Sequence, residues 1–124
     1  MERLAEDEDY SAILGIWSSV FNGVSIISNR ETIFHRDGQS RLAWYDIICT
    51  LGGDQSTVLE FRDLGIRLRY TSGTVVAHSG RLLYHGVSAA ENERVCYAYW
   101  MRDCIHELMG VKSPYWMSRD MYAV

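Results

Sequence analysis

From Gly23 to Met101 the chain passes through short β-rich runs, each closed by turn residues. Eight such runs follow one another: Val24 to Ser28, Thr32 to His35, Leu42 to Thr50, Thr57 to Phe61, Ile66 to Tyr70, Thr74 to His78, Leu82 to Val87 and Arg94 to Met101. The clearest breaks are Leu51-Gly52-Gly53-Asp54, Thr71-Ser72-Gly73, Ser79-Gly80 and Ala89-Ala90-Glu91-Asn92-Glu93. Strands this short and this evenly spaced predict an all-β sandwich, jelly roll or barrel. Ahead of them, Tyr10, Ile13, Leu14, Trp17, Val20 and Phe21 recur at intervals of three and four, which predicts a helix over 3–21 that lays its stripe on one sheet. Behind them, a short helix over 103–109 stops at Gly110, and the aromatic end to Val124 folds back on the body.

With no linker, repeat or low-complexity segment, the 124 residues read as a single domain: helix, β core over about 23–102, then helix and tail over 103–124. A hydrophobic content of 48% supplies a core and excludes disorder as the main state. The apolar runs are far too short for a membrane-spanning helix, so no membrane partner is expected. The acidic start, Met1 to Asp9, is unlike a secretion signal, and Cys49, Cys96 and Cys104 form neither a disulfide framework nor a zinc pattern. Both point to an intracellular, reducing location. The net charge of -4 gives no general attraction to nucleic acid, although Lys112 is the single lysine among the cations.

Chemistry concentrates in three places. In His35-Arg36-Asp37 the imidazole and the carboxylate stand at i and i+2, which share one face of an extended strand. His85 follows 50 residues later, in Leu82-Leu83-Tyr84-His85-Gly86-Val87. Together they offer two imidazoles and one carboxylate, the facial triad that holds non-haem Fe(II) and leaves positions open. Nine residues on, Arg94 opens the last strand, placed to take a cosubstrate carboxylate in its fork. Arg102 is the rival arginine and His78 the rival ligand; His106 reads as a surface or packing residue. Taken in order on short strands, these parts match the Fe(II)/2-oxoglutarate dioxygenases, whose fold is a double-stranded β-helix of eight strands.

The resemblance narrows with Ser28-Asn29-Arg30-Glu31-Thr32-Ile33-Phe34-His35-Arg36-Asp37, Trp44-Tyr45-Asp46, Gly73-Thr74-Val75-Val76 and Gly80-Arg81-Leu82-Leu83-Tyr84-His85-Gly86-Val87. Over about Val24 to Gly110 the chain resembles the TET/JBP branch, above all its fungal-type members. The resemblance implies Fe(II) on His35, Asp37 and His85, with 2-oxoglutarate held by Arg94 and Asn29 and O2 as cosubstrate. It also implies hydroxylation of 5-methylcytosine or thymine in nucleic acid, with DNA as the partner, a role in DNA demethylation and a nuclear location. Ser40, three residues after the iron carboxylate, stands where the family reads its target base. Trp44, like Tyr45, Trp100 and Trp116, is an aromatic able to stack on that base or, as is commoner in a β-sandwich, to fill the core. Two residues after the arginine, TET-type enzymes often carry a hydroxyl; Cys96 stands here, leaving one cosubstrate hydrogen bond unsupplied. Set beside these are the same chemistry on a protein side chain or small molecule, and a truncated, non-catalytic β-helix domain. Arg62, Arg67 and Arg69 read either as phosphate contacts or as a solvated sheet face.

Overall fold

The computed structural model describes residues 8–116. Among them, eight strands form two four-stranded antiparallel sheets, a mainly β sandwich of the jelly-roll kind, and successive strands change sheet except at the β4–β5 hairpin. The strands are β1 (Gly23–Ser28), β2 (Thr32–His35), β3 (Asp46–Gly52), β4 (Val58–Phe61), β5 (Ile66–Arg69), β6 (Val75–His78), β7 (His85–Val87) and β8 (Arg94–Trp100). One sheet has the order β1-β8-β3-β6 and the other β2-β7-β4-β5. Helix α1 (Glu8–Ile16) precedes the sheets and α2 (Asp103–Leu108) follows them.

The registers say which side chains face inward. Cys96 of β8 pairs with Ile27 on one side and Thr50 on the other, so these three line one row of the inner face. Ser25, Ala98, Ile48 and Val76 form the next row, and Asp46 pairs with His78 beyond it. In the second sheet Leu59 pairs with both Leu68 and Val87. The core is Leu59, Phe61, Tyr70, Val87 and Cys96, with Ile27, Ile48, Val76 and Leu83 packed on it. Complete burial of a side chain such as Leu59 stabilises the fold by about 2 kcal/mol, and the strict in-and-out alternation makes a one-residue slip of any inner strand costly.

Three elements differ from the sequence expectation. Helix α1 ends at Ile16 rather than Phe21, and much of the expected stripe is exposed: Tyr10 and Ile13 are each 50% and Val20 86% exposed. Gly15 and the pair Ser18-Ser19 are poor helix formers, and the Trp17 indole N–H donates to the Phe21 carbonyl at 2.9 Å, which folds that segment into a turn. Contact with the sheet falls instead to Phe21, whose ring meets Tyr99 at 6.0 Å. The first part of the expected helix, 3–7, lies outside the described residues. The third run loses Leu42 to Tyr45, because the amides of Ser40 and Trp44 bond locally, to the carbonyls of Asp37 and Arg41. The seventh run loses Leu82 to Tyr84, because the amides of Leu82 and Leu83 both turn back onto the Ser79 carbonyl. At the other end Gly110, at φ 64°, closes α2, and the tail folds back so that the Trp44 indole donates to the Pro114 carbonyl at 2.9 Å. Residues 117–124 of that tail lie outside the described residues.

Candidate metal and cosubstrate site

His35 ends β2 and His85 opens β7; the two are register partners in one antiparallel pair, which brings their rings to 4.4 Å. Asp37 lies two residues past His35, and its amide donates to the Gly80 carbonyl at 2.9 Å, which fixes the turn. One donor atom from each of His35, Asp37 and His85 lies within 4.8 Å of the others. The His35 Nε2 to Asp37 Oδ1 separation is 3.4 Å, against about 3 Å for two ligands at right angles on one metal at ~2.1 Å.

The ring orientation fits metal ligation as well. His35 Nδ1 donates to the Ile33 carbonyl and His85 Nδ1 to the Leu83 carbonyl, each at 2.9 Å and each two residues back. Both rings therefore carry their proton on Nδ1 and keep an Nε2 lone pair free, the tautomer and second partner typical of a ligating histidine. Burial depresses the His85 pKa, which keeps the ring neutral and able to donate that pair. Two histidines held by their outer nitrogens, with a carboxylate, are the donor set expected of an Fe(II) site.

Beside this cluster lies a layer of buried polar side chains. His78 is 4% exposed, its ring 4.6 Å from that of His85 and 5.3 Å from Phe61, and neither ring nitrogen has a hydrogen-bond partner. Burial, with His85 adding to it, lowers its pKa to about 4. His78 is thus a neutral neighbour of the cluster and lies outside the three-residue group. Across the β3–β6 pair stands Asp46, buried, with Arg102 Nη1 at 3.9 Å from its Oδ1. Burial first and the Asp37 charge second raise the Asp46 pKa to about 7. Gly80 lies against both carboxyl groups, and a Cβ there would collide with Asp37 Oδ2 and Asp46 Oδ2. Only glycine lets the chain pass this close.

Arg94, the other half of the expected site, faces inward at the start of β8 with Cys96 and is 2% exposed. Its Nη2 donates to the Arg30 carbonyl at 2.8 Å, while Nε and Nη1 have no protein partner. Its guanidinium lies 5.7 Å from the centre of the Tyr70 ring. A permanent cation with two buried, unused donors is costly unless an anion joins it. Gly53, at φ 77°, packs on the arginine's aliphatic stem, a position where a side chain is both strained and crowded. Arg102 is different: besides facing Asp46 it donates to the Met101 carbonyl and lies over the Trp100 ring. The buried guanidinium donors without a partner belong to Arg94.

The remaining expected site residues divide. Asn29, at φ 49°, accepts the Arg94 amide on its Oδ1 at 2.7 Å, so this oxygen serves the start of β8. Ser40 is buried, its amide donating to the Asp37 carbonyl, and its hydroxyl has no partner. Trp44 is 3% exposed, with its N–H on Pro114 and its ring 5.7 Å from His106; this is a packing position with no open face. Arg62 and Arg67 pair with Glu60 on the outer face of the second sheet, and Arg62 also lies over Phe34. Asp46, Gly80 and Tyr70 were not singled out from sequence. Asp46 and Gly80 stand inside stretches that carry the family resemblance, whereas only three-dimensional packing brings Tyr70 under Arg94.

No curated protein matches the chain. The family Tet_JBP, described as the oxygenase domain of the 2OGFeDO superfamily, matches residues 2–106. The chain belongs to this TET/JBP family of oxygenase domains, whose superfamily works with Fe(II), 2-oxoglutarate and O2.

Proposed function

We propose that the domain is an active Fe(II)/2-oxoglutarate dioxygenase that hydroxylates the methyl group of 5-methylcytosine or thymine in nucleic acid. The observation that carries the catalytic reading is Arg94: a buried guanidinium with Nε and Nη1 open, in the same domain as the cluster of buried His85 with the partly exposed His35 and Asp37. The strand orders support a double-stranded β-helix, in which both halves of the site project between the two sheets.

In this reading His35 Nε2, Asp37 and His85 Nε2 hold the metal, and the Ile33 and Leu83 carbonyls keep both rings in the ligating tautomer. Arg94 binds the distal carboxylate of 2-oxoglutarate and so orients its keto-acid end toward the three ligands. Fe(II) with this cosubstrate supplies the activation of O2: one oxygen atom goes to the methyl group as hydroxyl, the other to succinate, and CO2 leaves. Phe61, a core residue with its ring 6.3 Å from His85 and 5.3 Å from His78, gives the polar cluster an apolar wall on its core side. A base in a duplex must first leave the stack to reach such an interior.

The nucleic-acid substrate rests on family membership, and it carries with it the nuclear location and the role in DNA demethylation. Incubating the protein with Fe(II), 2-oxoglutarate and an oligonucleotide containing 5-methylcytosine tests it by mass spectrometry. A product heavier by one oxygen atom, formed together with succinate, is expected. Succinate formed only with a methylated protein or small molecule would move the chemistry to that substrate. A failure to bind Fe(II) would leave a non-catalytic domain.

A further inference from the structure

The outer face of the β1-β8-β3-β6 sheet carries no charge. Its central row runs Ile26-Tyr97-Cys49-Val75 across all four strands, and every other outward side chain on them is apolar except Ser28. None of these outward residues is buried: Ile26 is 67%, Val75 61% and Leu51 48% exposed. A sheet with one solvated face is polar on that face; apolar side chains on both faces mark a sheet that is covered on both. The outer face of the second sheet makes the contrast, with Glu60 and Arg67 paired across its strands.

Helix α1 is a second uncovered surface. Tyr10, Ile13 and Ile16 recur every three residues along it, and Ile16 is 82% exposed. The joint between α1 and β1 is fixed: Asn22 donates from Nδ2 to the Arg102 carbonyl and accepts the Arg102 amide on Oδ1, and Phe21 rests on Tyr99. With the joint held in this way, α1 does not bury its stripe on its own sheet, so one chain carries a helix stripe and a sheet face that do not meet. A second copy satisfies both at once across a twofold axis. A neutral face also meets its own copy without setting like charges together. Four strands ~4.8 Å apart and ~20 Å long give the face a flat footprint of about 400 Å². The nine residues of α1 add a stripe about 13 Å long. Face and stripe together approach the ~800 Å² per partner of a stable interface once side-chain relief is counted, whereas the face alone falls short. We infer that two copies of this chain associate about a twofold axis, α1 of each lying across the outer face of the other's β1-β8-β3-β6 sheet. The contact leaves the β2–β7 pair, with His35 and His85, outside it.

Sedimentation equilibrium of the full chain tests this and should give a dimer with a Kd of about 1 µM or tighter. Ile26→Lys on the sheet face and Ile16→Lys on the helix should each weaken it about a hundredfold, since the twofold brings each charge into the contact twice, at about tenfold each time. Ile33→Lys, the same change at an exposed position of the other sheet, should leave the dimer unchanged. All three side chains are exposed in the single chain, so circular dichroism and Mn(II) affinity should match wild type and show that each variant is folded. A wild-type chain that stays monomeric at about 100 µM overturns the inference. So does a dimer that survives Ile26→Lys or Ile16→Lys, or one that Ile33→Lys weakens equally.

Discussion

Replacing Arg94 by methionine should make the ligand-free protein more stable and at the same time abolish its response to 2-oxoglutarate. In the structure Arg94 is 2% exposed and two of its guanidinium nitrogens lack partners. Each unsatisfied buried donor costs about 1–3 kcal/mol, and the single bond from Nη2 to the Arg30 carbonyl returns about 1.5–3 kcal/mol. Arg30 is exposed, so water replaces the lost donor at its carbonyl. The methionine chain keeps the apolar stem that Gly53 packs against. The net gain is on the order of 1–2 kcal/mol, which for a chain of this size raises Tm by roughly 4–8 °C. With Mn(II) present and 2-oxoglutarate at a hundredfold excess over Kd, wild type gains about 2.7 kcal/mol while Arg94→Met gains nothing. The order of the two melting temperatures should therefore reverse when 2-oxoglutarate is added, and differential scanning calorimetry on both proteins reads this directly. An Arg94→Met protein that melts below wild type without ligand, or that shifts as much with it, would refute the reasoning.

Three further outcomes follow from single contacts. Gly80→Ala drives a methyl group into the carboxyl groups of Asp37 and Asp46 and should weaken Mn(II) binding by about 10- to 100-fold, read by electron paramagnetic resonance titration. Asp54 gathers the Ser56 hydroxyl and the Glu91 amide, and these bonds hold its pKa below the usual range. Its contribution to stability is complete above the unfolded value of ~3.9 and is lost as pH falls through the lower folded value, so Asp54→Asn should flatten the acid limb of a Tm-against-pH curve. An unchanged limb would remove Asp54 from that role. Trp44→Phe deletes the indole bond to Pro114, costs about 1 kcal/mol and should expose the tail around Ser113 to limited proteolysis; a protease-resistant variant would show that the tail is held elsewhere.

The parts of the site legible in the sequence are those governed by local geometry. His35 and Asp37 stand two apart at a strand end, and Arg94 begins a run of unmistakable β texture, so both could be placed without knowing the sheet order. His85 needed the pairing of β2 with β7, which the separation of 50 residues suggests but does not encode locally. Asp46 and His78 meet only through the β3–β6 register, and Tyr70 reaches Arg94 only because the two sheets close over one another. For Trp44, an aromatic side chain suits a base platform as well as the core, the commoner place for one in a β-sandwich, and its burial with the indole N–H on the Pro114 carbonyl gives it a packing role. Helix α1 was overextended because the apolar spacing continues to Phe21 although the Gly15 and Ser18-Ser19 backbone does not favour a helix that long.

Diffraction from crystals grown with Mn(II) and 2-oxoglutarate, recorded to locate the metal by its anomalous signal, tests the central claim most directly. The account predicts one peak bound by His35 Nε2, Asp37 and His85 Nε2, with the distal carboxylate of 2-oxoglutarate on Arg94. A metal seated instead on His78 and Asp46, or a cosubstrate carboxylate on Arg102, would contradict it.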